Sequence, residues 1–209
     1  MSNQTLRKKL LIIDTATSPQ YFMITGPDRP VVVEYLDELI LSKDLVAKLD
    51  IFLNSNNVLL KDLDAICAGA GPGSFTGIRA GISVANALAF ALKRPLITYC
   101  SLIGYADQRG RYDEYYSAFD ARNGGVYLLK QYKDNFNSIP FQSDGSAIQK
   151  LPIFTPHKDS LEPKYPHLAF NEAKLSENRL ISYLEHKILK KDVSSPEKIS
   201  PYYLKPIEE

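Results

Sequence analysis

Apolar residues arrive in short blocks through the first third of the chain. Leu10-Leu11-Ile12-Ile13 stops at Asp14, and two further apolar or alternating runs follow up to Tyr35, broken by Thr-Ser-Pro and by Gly-Pro-Asp-Arg-Pro. This pattern predicts an antiparallel meander of three strands over residues 10–35. The spacing then changes. Leu45, Val46, Leu49, Phe52 and Leu53 recur at helical intervals behind Ser42, a candidate N-cap, and the pattern ends near Asn54-Ser55-Asn56. LDAICAGA (63–70) reads as a buried strand. A glycine-rich turn follows it, then a helix from about Thr76 to Leu92, then the strand LITYCS behind Pro95. Strand, glycine turn, helix and strand make a parallel crossover unit, so residues 1–103 predict an α/β lobe with a mixed sheet.

The pattern partly repeats over residues 104–209, which predicts a second, smaller lobe. A short helix from Ser101 to about Gln108 precedes the strand EYYSAFD, the turn ARNGG and the hairpin partner VYLLKQY. Residues 134–166 hold Pro140, Pro152, Pro156, Pro163 and Pro166 and predict strands and loops. A last helix over Leu175–Leu189 carries Leu180, Ile181, Leu184 and Ile188 on one stripe.

Composition narrows the partners. The 209 residues are 44% hydrophobic and carry a formal charge of +1, spread evenly: 25 basic against 24 acidic side chains. A chain that gripped RNA alone would carry a basic face, so any nucleic-acid role is shared with a partner. The two cysteines, Cys67 and Cys100, sit in apolar runs and read as reduced core thiols. Asp14 ends the first apolar run too early for a secretory leader, and no stretch reads as a membrane span. The expectation is a soluble, cytoplasmic protein.

AGAGPGSFTGIRAG (68–81) places five glycines and a proline at the mouth of a helix, where free amides favour an anion. A phosphate loop, however, wants Lys then Ser or Thr, and the equivalent stretch here reads Thr76-Gly77-Ile78-Arg79. The dinucleotide fingerprint also fails, since Gly69, Gly71 and Gly73 are spaced by two. The residues favour a plainer reading: Pro72 and Gly73 turn the chain, Ser74 or Thr76 caps the helix, and Gly77 lets it pack closely.

Along that helix Ile78, Ile82, Ala85, Ala89 and Leu92 make an inward stripe. Gly77, Ala80, Gly81, Val84, Ala87, Leu88 and Ala91 make the remainder small and apolar, which predicts a second buried side. Cover from within the chain, by the second lobe or the 42–56 helix, is the alternative to an external partner.

IIDTATS places Asp14 and Thr15 at a strand end, where actin-like ATPases and sugar kinases approach Mg-nucleotide phosphates. FDARNGGVY places Asp120 similarly in the second lobe, although Asp before a turn also serves Asx hydrogen bonding. His157, His167 and His186 have no spacing suited to a metal, and no nucleophile elbow surrounds any serine.

LLIIDTATS, DLDAICAGAGPGSFTGIRAGISVANALAF, SLIGYA, FDARNGGVY and SPYYLK together resemble, in order, the bacterial TsaB (YeaZ) family. The resemblance implies an α/β, actin-like (ASKHA) two-lobed fold with mixed sheets and flanking helices. It implies a non-catalytic subunit that pairs with TsaD, and with TsaE, for ATP-dependent threonylcarbamoyl transfer to the adenosine beside the tRNA anticodon. The family loop maps to Gly71, Pro72, Gly73, Ser74, Thr76, Gly77 and Arg79. The partner face maps to Gly77, Ala80, Gly81, Val84, Ala87, Leu88 and Ala91, and a degenerate nucleotide cleft to Asp14 and Thr15. No catalytic residue, metal or cofactor of its own is implied. ATP is used by the complex, tRNA is met through it, and self-pairing of the isolated chain stays open. Two departures from the family pattern are Asn123 and Gly125, where Met and Glu are usual, and Leu41-Ser42-Lys43, where His-Ser-Glu is usual. A stand-alone actin-like ATPase or small-molecule kinase keeps the two aspartates but lacks a phosphate clamp. A metal-dependent peptidase lacks ligands.

Overall fold

The computed structural model describes residues 8–36, 44–122, 125–146, 148, 150–192 and 201–204. The chain divides into two units. The first holds residues 1–70, 74–99 and 184–201, and the second holds 71–73, 100–183 and 202–209.

In the first unit, β1 (Leu10–Asp14), β2 (Gln20–Thr25) and β3 (Val32–Leu36) form the antiparallel meander. β4 (Ala65–Gly69) and β5 (Leu96–Tyr99) extend it in parallel, giving the order β3-β2-β1-β4-β5. β1 and β4 are buried at every residue, which explains why their sequences are continuously apolar rather than alternating. α1 (Leu45–Ser55) buries Leu45, Leu49, Phe52 and Leu53. The N-cap reading for Ser42 lies outside the described residues.

α2 (Phe75–Leu92) is the crossover helix and packs on β4, β1 and β5, beside α1. Ser74 caps it with extended backbone, and its hydroxyl accepts from the Gly77 amide at 3.3 Å. Lys93, in left-handed conformation, closes it and donates to the carbonyls of Ala89 and Phe90. At 18 residues and a mean hydropathy of 1.4, α2 does reach the length and apolarity of a membrane-crossing segment, which corrects the sequence expectation. It begins at Phe75, one residue before the predicted start, and its inward stripe is spent on the sheet.

In the second unit, β6 (Glu114–Asp120) and β7 (Val126–Tyr132) form the expected hairpin. β8 (Pro140–Ser143), β9 (Ile153–Thr155) and β10 (Phe170–Glu172) complete a mixed sheet in the order β10-β9-β6-β7-β8. Pro140 is tolerated because β8 is an edge strand. α3 (Lys158–Leu161) is a single turn, and α4 (Glu177–Leu189), whose residues from Leu184 on belong to the first unit, begins two residues later than its periodicity suggests.

The helix expected from Ser101 to Gln108 is only a 3-10 turn, Ser101–Gly104. Asp107 explains the early stop, because its carboxylate accepts the amides of Arg109, Arg111 and Tyr112 and so competes with helical bonding. Behind the turn lies a buried polar chain. Gln131 donates to the Leu102 carbonyl at 3.2 Å and to the Ser117 hydroxyl, which donates to the Tyr105 carbonyl.

Candidate functional site

The start of α2 meets the end of β1 within the first unit. The Ser74 amide donates to the Ala16 carbonyl at 2.6 Å, the Gly77 amide to the Ser74 hydroxyl, and the Ile78 amide to the Ser74 carbonyl at 2.8 Å. These three amides at the start of α2 are therefore already donated inside the protein. Gly71 (φ 90°) and Gly73 (φ 154°) flank Pro72 in backbone that favours glycine, and the Gly71–Pro72 bond is cis. Arg79 lies over the Phe75 ring at 3.9 Å. Thr76 is exposed.

The Thr15 hydroxyl donates to the Gly77 carbonyl at 2.6 Å. A Cβ on Gly77 would sit 2.1 Å from the Thr15 carbonyl oxygen, and one on Gly81 would sit 2.4 Å from the Thr15 hydroxyl. The two glycines thus press α2 against the turn after β1. This corrects their assignment to the outward face: both look inward, because only hydrogen fits between the helix and Thr15.

Asp14 is 3% exposed. One of its oxygens accepts the Ala16 amide at 3.0 Å in an Asx turn, and a Cβ on Gly69 would fall 2.2 Å from its carboxyl carbon. Tyr99, across the sheet, hydrogen-bonds Asp14 and, at 3.0 Å between hydroxyls, Tyr21. Burial first, and then the Asp14 charge and Tyr21, push the Tyr99 phenol well above its ordinary range. Asp14 Oδ1 and the Thr15 hydroxyl are thus both engaged in contacts within the first unit.

Asp120, in the second unit, is likewise occupied. Lys164 Nζ reaches its two oxygens at 2.9 and 2.6 Å, the Arg122 amide donates to it at 2.7 Å, and its own amide donates to His157 Nδ1 at 3.0 Å. Burial opposes ionisation of this carboxyl, but hydrogen bonds from Lys164, Arg122 and Ser160 outweigh it and hold the group below the ordinary carboxylate range. His157, Ser160 and Lys164 lie 37 or more residues from Asp120, with no local signal to join them. In the same hairpin Gly125 has φ 97°, and a Cβ there would meet the Ser143 carbonyl oxygen at 2.1 Å. The usual glutamate cannot occupy this turn without moving β8. Asn123 lies outside the described residues, as do Leu41, Ser42 and Lys43.

The outward side of α2 is open within the described residues. Ala87 and Ala91 are exposed, Ala80, Val84 and Leu88 are half-buried, and Phe75 and Phe90 are 54% and 78% exposed. The two phenylalanines were missed by the sequence reading. They flank the small-residue face at its ends, and their spacing alone does not separate them from core positions. Val46 and Ile51 on neighbouring α1 are 59% and 61% exposed.

A family model described as TsaD, tRNA N6-adenosine threonylcarbamoyltransferase, matches residues 41–149, just over half of the chain. The chain belongs to this TsaD-type family. Within it the likeness runs to TsaB (YeaZ). The Escherichia coli K12 protein called tRNA threonylcarbamoyladenosine biosynthesis protein TsaB is 35% identical over 48% of this chain and 45% of its own length. Its Bacillus subtilis 168 namesake is 34% identical over 60% of this chain and 56% of its own. The matched stretch therefore spans about half the length of these relatives. YeaZ from Pseudomonas aeruginosa superposes with a TM-score of 0.73 at 25% identity, over 94% of this chain and all of that one. A second P. aeruginosa structure, described as similar to peptidase YeaZ, reaches 0.74 at 24% identity over 95% of this chain and all of that one. The fold is α/β and actin-like, with two mixed sheets and flanking helices. Among the described residues of this TsaD-type chain, no three His, Cys, Asp or Glu side chains group as metal ligands.

Proposed function

We propose that this protein serves in tRNA threonylcarbamoyladenosine biosynthesis as a non-catalytic subunit that pairs with a TsaD-type enzyme and works with TsaE. The pathway is taken from the names of its TsaB relatives. One observation supports the role within it: α2 turns an unspent apolar face outward, with Phe90 78% exposed and Ala87 and Ala91 beside it. The small residues permit close helix-to-helix approach. The aspartates an actin-like ATPase would use are held in internal contacts, which weighs against a stand-alone ATPase or kinase. On this reading the chain needs no cofactor, ATP is consumed by the assembly, tRNA is met through it, and the protein acts in the cytoplasm.

The experiment is rescue. In a bacterium depleted of its own TsaB, expression of this chain restores threonylcarbamoyladenosine in digested tRNA, measured by nucleoside mass spectrometry. Full expression with no recovery of the modified nucleoside rejects the role.

A further inference from the structure

The second unit contains a cavity of about 460 Å³ that lies apart from α2 in sequence and plays no part in the proposed pairing. Asp107 shapes one wall. Its side chain is 1% exposed and accepts the amides of Arg109 at 3.1 Å, Arg111 at 2.6 Å and Tyr112 at 3.1 Å. These three N–H donors fix the loop and hold the carboxylate in place, and Arg111 Nε lies 4.0 Å from it, so its charge is partly balanced at the wall of the hollow. Gln108 donates to the carbonyls of Lys174 and Leu175, both at 3.2 Å, and so ties this wall to the facing one.

Four cations line the hollow, Arg109, Arg111, Lys158 and Lys174, against the carboxylates of Asp107 and Glu172. In a chain of net charge +1 this is a local concentration. Arg109 and Lys174 have no acidic partner among the described residues. Lys158 meets Glu162 at 3.3 Å in an exposed pair that a stronger anion can displace. Phe154 and Phe170, each 5% exposed, supply an apolar side.

We propose that this cavity binds a phosphate ester of nucleotide size, with the four cations around the phosphate and the phenylalanine side against the nucleoside. Arginine forks match phosphate oxygens in bidentate fashion, and a multiply charged anion suits four cations better than a single carboxylate does. The volume falls in the range of small-molecule sites and exceeds what a bare ion fills. The phosphate can belong to a free nucleotide or to an RNA chain. The inference stands on the cavity and does not rest on the pathway reading.

The test titrates the full chain with AMP, with inorganic phosphate and with a labelled single-stranded RNA hexamer, by calorimetry and fluorescence anisotropy, at low and physiological salt. AMP or RNA binds the wild type, and Arg109→Glu with Lys174→Glu weakens that binding about tenfold or more. Loss confined to AMP identifies a free nucleotide; loss confined to RNA identifies a phosphate within a chain. Inorganic phosphate binds more weakly than either. Arg109→Gln, at an exposed position, gives a smaller loss and serves if the double variant fails to fold. Binding unchanged in both variants, or no binding of AMP or RNA to the wild type, overturns the proposal.

Discussion

Gly77 shows how one hydrogen atom sets a helix position. Alanine there gains about 1 kcal/mol of helix propensity, yet its methyl would meet a backbone carbonyl oxygen that cannot swing aside. Gly77→Ala is expected to destabilise the protein by about 2 kcal/mol through overpacking, whereas Ala87→Ser on the exposed side leaves stability nearly unchanged. Urea unfolding of the two variants checks this, and equal midpoints would place the clash elsewhere. Asp120 makes a second prediction at this scale. Its folded pKa is depressed, so its contribution to stability is present above the ordinary aspartate value of 3.8 and disappears as pH falls through the folded value. Lys164→Met removes the ammonium from the carboxylate, and the variant should therefore lose less stability than the wild type between neutral pH and about pH 3. Denaturation midpoints at the two pH values decide it. Parallel losses in both proteins would mean that Lys164 does not depress Asp120.

At the scale of elements, α2 carries two unlike faces. Ile78, Gly81, Ile82, Ala85 and Ala89 are buried within the first unit, while Val84 and Leu88 stand half-buried at the edge of the outward face. A glutamate at either edge position would be left unpaired in a desolvated helix contact, at a cost of about 3 kcal/mol or more. Val84→Glu or Leu88→Glu should thus lower affinity for a TsaD-type partner about a hundredfold. Circular dichroism and size-exclusion chromatography establish that each variant folds, and calorimetry with the partner measures the loss. A folded variant that retains wild-type affinity removes this face from the interface. The glycine loop serves the same element, since its cap and its contacts with Thr15 and Ala16 set where α2 begins.

At the scale of the whole molecule, 25 basic and 24 acidic side chains leave little net field to attract a polyanion. The isolated chain should bind folded tRNA only weakly at physiological salt, and association should tighten when the TsaD-type partner is added, as anisotropy titrations can follow. Nanomolar binding by the chain alone contradicts this. The same preparation should hydrolyse no ATP above background. Asp14 accepts the Ala16 amide and Asp120 is paired with Lys164, while Thr76-Gly77-Ile78-Arg79 has no lysine where a phosphate loop carries one. Turnover at the rate of an ordinary kinase, abolished by Asp14→Ala, would falsify that expectation.

The amino-acid sequence by itself determined the meander, the crossover unit and the β6–β7 hairpin, and it narrowed the cap of α2 to Ser74 or Thr76, of which the structure uses Ser74. Each follows from residues within one element or its turn: apolar runs of strand length, a 3.6-residue stripe, and glycine or serine where the backbone needs them. Tertiary structure decided what those residues face. Gly77 and Gly81 read as part of a small outward surface until the turn at Thr15 was seen to fill the space against them. Asp14 reads in sequence as the end of a strand and Asp120 as a residue before a turn; Tyr99, 85 positions from Asp14, and Lys164, 44 positions from Asp120, are neighbours that only the fold supplies. The cationic cavity joins residues 106–111 to 154–174 and left no mark on either segment alone. The physical reason is range. Backbone preference and periodicity act between neighbours in sequence, whereas burial, charge pairing and steric contact act between neighbours in space, which only the folded chain brings together.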